Sequence, residues 1–77
     1  MFDINKYKHV NDAICEAMND LVNTPFCENF GEEHIRVINE KFGSTGYYDG
    51  EDFSERERRL NNISGFESWC AYYTPIG

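Results

Sequence analysis

From Ile4 to Leu21 the apolar residues Ile4, Tyr7, Val10, Ile14, Ala17, Met18 and Leu21 recur every three or four positions. That spacing belongs to a helix that buries one face. The same stretch carries Asp12, Glu16 and Asp20, one carboxylate every four residues. The pattern predicts a helix over 4–22 with Asp3 as its N-cap, the apolar stripe turned inward and the acidic row directly opposite. A chain of 77 residues has to build its core around such an element. A domain of that size buries only roughly 60% of the surface its unfolded chain exposes. There is no material for a second core, so one domain over 1–77 is expected, and self-association as a homodimer would complete a core this small.

Punctuation divides the remainder. Asn23-Thr24-Pro25 ends the first helix, because the residue before a proline avoids the helical region. Thr24 and Pro25 then suit the start of a short second helix over 26–30 that Gly31 closes. Residues 32–42 read as a helix, with Ile35, Ile38 and Phe42 on one face, His34 at its edge and Gly43 as its stop. A strand over 34–42 is the competing reading, because Ile35-Arg36-Val37 alternates. Residues 44–52, with Gly46 and Gly50 around Tyr47-Tyr48, read as loop. Ser54 and Glu57 form a capping box for a helix over 55–63 that Gly65 stops. From Phe66 to Thr74 alternation places Phe66, Ser68, Cys70 and Tyr72 on one face, which suits a strand as well as a short helix. The predicted class is α+β and mainly helical: two to three helices with a short C-terminal strand or aromatic segment packed on them.

Composition narrows the function. Fourteen Asp and Glu stand against seven Lys and Arg, a net charge of -7. A surface of that sign repels nucleic acid and anionic membranes and attracts basic proteins. The 40% hydrophobic and 16% aromatic content is too rich for a disordered acidic tail. No basic start runs into an apolar stretch, and no stretch approaches the length of a membrane span. Cys15, Cys27 and Cys70 are an odd number with no CxxC spacing, which reads as three thiols in a reducing cytoplasm, small core residues rather than nucleophiles.

Motifs for chemistry are missing. His9, His34 and the cysteines show no ligand-pair spacing, and Asp49-Gly50-Glu51-Asp52 lacks the alternation of a calcium loop. No glycine-rich phosphate loop occurs. The expectation is a protein that is not an enzyme and uses no cofactor and no metal. Arg56, Arg58 and Arg59, interleaved with Glu55 and Glu57, read as an exposed helix surface laced with weak ion pairs.

The acidic row is the strongest candidate for recognition. Residues four apart on a helix are about 6 Å apart along its axis, a spacing close to that of successive phosphates on a DNA strand. Size, acidity and carboxylate row together are similar to the DNA-mimic inhibitors that phages and mobile elements encode to antagonise host defence. The likeness is one of physical properties, not of descent. It implies that Asp12, Glu16 and Asp20 contact the nucleic-acid-binding surface of a basic host protein, with Glu28, Glu32 and Glu33, or Asp49, Glu51 and Asp52, extending the footprint. The alternative is a structural or adaptor module that docks a partner through the aromatic C-terminal segment around Trp69, Tyr72 and Tyr73, rich in the residue types of binding hot spots.

Overall fold

Three amphipathic helices close around a core of Val10, Ala13, Ile14, Ala17 and Leu21 from the first, Ile38 and Phe42 from the second, and Ile63, Phe66 and Cys70 from the third. The computed structural model describes residues 2–23 and 31–73. In chain order these form a 3₁₀ turn (Ile4–Lys6), α1 (Val10–Val22), α2 (Glu32–Phe42) and α3 (Phe53–Tyr72), and no strand occurs among them. Each helix packs on the other two. Ala13 and Ala17 are fully enclosed, which lets the neighbouring helices approach α1 closely. Phe2, Ile4, Tyr7, Met18, Ile35, Tyr48 and Trp69 pack around the rim of this core.

The expected helix over 4–22 is broken in two. Asp3 does cap the first turn, its side chain accepting from the Asn5 N–H (3.1 Å). The backbone then turns extended at Tyr7 and at His9, the N-cap of α1. A tertiary contact holds the break open. The Lys41 ammonium of α2 donates to the carbonyls of Ile4 (2.9 Å) and Tyr7 (2.5 Å). α2 itself follows the expected bounds and ends at Gly43, whose N–H reaches the Asn39 carbonyl (2.9 Å). The expected short helix over 26–30 lies outside the described residues.

The α+β class is corrected by α3. Neither the capping box nor the Gly65 stop operates. Asp52, not Ser54, is the N-cap, accepting from the Glu55 N–H (2.9 Å). The helix then runs twenty residues through Gly65 and takes in most of the segment with strand-like alternation. Phe66 and Cys70 are four apart and fit a helical period as well as a strand's. Arg59, Ile63, Phe66 and Cys70 make one buried stripe, and that stripe decides between the periods. Gly65 stands off it, with nothing near the position a Cβ would occupy. It therefore weakens the helix without breaking it. Gly65→Ala is expected to raise stability by about 0.5–1 kcal/mol, read as a higher midpoint in urea. No gain would mean that α3 is interrupted there.

Candidate functional site

The acidic row on α1 faces solvent at Asp12 and Glu16 and is drawn inward at Asp20. Helix geometry explains the drift. Four residues overshoot a 3.6-residue turn by about 40°, so a row at four-residue spacing winds around the helix and meets the edge of the buried stripe. It is opposite the stripe at Asp12 only. Asp20 ends beside α2, where its carboxylate lies 2.8 Å from His34 Nε2. A carboxylate accepts only, so this nitrogen carries the proton. The Phe2 ring packs on the imidazole, with centroids 5.0 Å apart.

That junction gathers acids from three elements. Asp3, Asp20 and Glu33 line one hollow of about 290 Å³ with His34. Tyr7 ties in the middle of the row: burial first, then the charges of Glu16 and Asp3, push its phenol above its ordinary pKa. Asp3, Glu16, Asp20 and Glu33 therefore act on one region, continued along α1 by Asp12. Asp3 was not anticipated from sequence. Its role as a cap was legible, but its place beside Asp20 and Glu33 depends on how the N-terminal segment folds back. Glu32 and Glu33 occupy the first turn of α2, where carboxylates suit the helix dipole. Arg36 donates to Glu33 and, at 2.7 Å, to Glu40. The Arg36 hydrogen bond holds the Glu33 carboxyl below the usual range.

The second acidic cluster is divided among structural tasks. Asp49 is exposed. Asp52 caps α3. Glu51 is turned inward, and Arg59 explains why. Arg59 is 4% exposed, which corrects the expected exposed arginine surface at this residue, whereas Arg58 is exposed and Arg56 lies 4.0 Å from Glu57 as expected. Its Nε and Nη2 donate to the two Glu51 oxygens (2.8 and 2.9 Å), Nη2 also to the Gly46 carbonyl (2.9 Å), and Nη1 to the Ser44 (2.9 Å) and Phe42 carbonyls. All five guanidinium N–H groups are used, and the Tyr48 ring packs over the cation at 5.6 Å. The Tyr48 N–H donates to Glu51 (2.7 Å). These bonds, Arg59 foremost, hold the Glu51 carboxyl below its ordinary range. Arg59 and Glu51 thus clamp the loop between α2 and α3 and are not available to a partner. Glu28 lies outside the described residues.

Little else offers chemistry. Cys70 is buried, and burial followed by the Glu67 charge pushes its thiol up to about 11, so it stays protonated and inert. Cys15 is an exposed free thiol, contrary to its expected place in the core. Cys27 lies outside the described residues. No group of three or more His, Cys, Asp or Glu side chains among the described residues is arranged to hold a metal ion. No helix there is long and apolar enough to cross a membrane. In the aromatic C-terminal segment Trp69 is half-buried, stacked between Phe66 and Tyr73 (centroids 6.1 and 4.7 Å), and Tyr72 is 88% exposed. Comparison of the chain with family models, with curated proteins and with solved structures finds no match.

Proposed function

We propose that this chain is a non-enzymatic acidic binding protein, a phage-type DNA mimic whose α1 face occupies the nucleic-acid-binding surface of a basic host protein. The observation that carries this is the convergence of acids from three elements: Asp12, Glu16 and Asp20 of α1, Glu33 of α2 and Asp3 of the N-terminal segment. Asp12 and Glu16 are the outward contacts. Asp20 contributes charge and, through His34, fixes α1 against α2, so that the row is presented on a rigid surface. Glu32 extends the footprint, and Asp49 is its most distant candidate. Inhibition would be competitive. The summed field speeds encounter with a basic groove, and added salt weakens it.

The test is the triple variant Asp12→Asn, Glu16→Gln, Asp20→Asn. The amide at position 20 can still accept a hydrogen bond from His34, and like-charge repulsion along the helix is removed. The melting temperature should hold or rise slightly. Association with a partner captured from a bacterial lysate should slow at least ten-fold at low salt, its salt dependence should flatten, and displacement of DNA from that partner should be lost. Undiminished binding by the triple variant would reject the mimic and leave the exposed aromatic end of α3, around Tyr72, as the interface of an adaptor module.

A further inference from the structure

A larger hollow lies at the opposite end of the α1–α2 pair from the His34 junction. Its volume is about 640 Å³, within the range of small-molecule sites. The start of α1, the end of α2, the 43–52 loop and the first half of α3 all contribute to its wall. On a chain with twice as many acids as bases, four of the seven Lys and Arg side chains line this one hollow: Lys8, Lys41, Arg58 and Arg59. Their charges are unequally committed. Glu51 neutralises Arg59. Lys41 is held by two backbone carbonyls and no carboxylate, which leaves its charge uncompensated and one of its three N–H groups unspent. Lys8 and Arg58 form no ion pair among the described residues. Three cations without a carboxylate partner thus line one space from three elements, Lys41 with two of its N–H groups already spent on carbonyls. Three carboxylates line it too: Glu51, which is spent on Arg59, and Asp49 and Glu55.

We propose that this hollow binds a sugar phosphate. A phosphate dianion matches the Lys8, Lys41 and Arg58 cations, and the Arg58 fork suits its oxygens in a bidentate pairing. Asp49 and Glu55 would repel a bare anion, but they accept hydrogen bonds from hydroxyl groups. The mixture therefore selects a ligand that is anionic at one end and rich in hydroxyls at the other. None of Asp12, Glu16 and Asp20 lines the hollow, so the triple variant there should not weaken binding.

Ribose 5-phosphate, ribose and inorganic phosphate titrated separately into the protein at low ionic strength, and followed by amide NMR shifts and calorimetry, test this. Ribose 5-phosphate should saturate and shift amides of residues 8–11 and 58–62, ribose should not bind, and inorganic phosphate should bind at least ten-fold more weakly. The double variant Lys8→Ala, Arg58→Ala removes two exposed side chains. It should keep its melting temperature and lose at least ten-fold in affinity. Asp49→Asn should weaken ribose 5-phosphate and not inorganic phosphate. No saturation by ribose 5-phosphate at millimolar concentration, equal binding of inorganic phosphate, or undiminished affinity in the double variant would each overturn the proposal.

Discussion

Replacing Arg59 with alanine is expected to cost about 3–5 kcal/mol, the loss typical when one partner of a buried ion pair is removed. The change strands the Glu51 carboxylate and the carbonyls of Phe42, Ser44 and Gly46, which Arg59 now satisfies. Small domains are stable by only about 5–15 kcal/mol, so Arg59→Ala should sit near the edge of folding. Equilibrium urea unfolding checks it, with Arg58→Ala as the control: that side chain is exposed and should shift stability by no more than about 0.5 kcal/mol. Arg59→Lys should rescue little. An ammonium has three donors where five are used, and no planar fork for a bidentate carboxylate. Equal stability of Arg59→Ala and the parent would show that the loop does not depend on the clamp.

The same pair gives the molecule a signed pH response. Arg59 depresses the Glu51 pKa in the folded state. A depressed carboxyl contributes stability that is fully present above its unfolded value, about 4.3, and is lost as pH falls through the folded value. The urea midpoint should therefore be flat near neutrality and fall in acid, and Glu51→Gln should flatten that acid limb while lowering stability at pH 7. Glu33 is shifted the same way by Arg36. It is exposed and screened, so its share is smaller.

The second large effect is expected at Gly31. This residue is buried, with φ 76°, and immediately precedes α2. Alanine there meets two separate penalties. The left-handed backbone costs a residue with a Cβ about 1–2 kcal/mol. The new methyl would also overlap Cys70 Sγ and sit 3.0 Å from Cys70 Cβ, and such overpacking costs about 1–3 kcal/mol. Gly31→Ala should lose about 2–5 kcal/mol in all. A double-mutant cycle separates the two parts. Cys70→Ala removes the sulfur, so the double variant should be less destabilised than the sum of the singles, while the backbone penalty persists. Strict additivity would mean that α2 does not seat against Cys70 through Gly31.

The interior of α1 and the bounds of α2 are legible because their information is local, although the alternation of Ile35-Arg36-Val37 leaves a strand open as the competing reading for 34–42. Apolar spacing marked Ile14, Leu21, Ile38 and Phe42 as core, and Gly43 marked an end. The α3 segment misled because its local cues compete. Ser54 and Glu57 advertised a cap, Gly65 a stop and Phe66 to Tyr72 an alternation, whereas the buried stripe that unites them begins with an arginine. Hydrophobic periodicity cannot register Arg59, since a guanidinium enters a core only when a loop folds around it with five acceptors.

The candidate site divides along the same line. The four-residue spacing of Asp12, Glu16 and Asp20 is a property of the chain, and so is the excess of negative charge. Whether those acids act together is not. Lys41 drew the carbonyls of Ile4 and Tyr7 out of the expected helix, and the N-terminal segment brought Asp3 to bear, with Glu16, on Tyr7. His34 turned the last carboxylate of the row from a free charge into a tether between helices. Glu51 stands in the most acidic run of the loop and still faces inward. Periodicity fixes which residues share a helix face, because neighbours along a helix are set by backbone geometry alone. Which charges stay free for a partner is decided by contacts between residues 8 to 37 positions apart, and those exist only once the helices have packed.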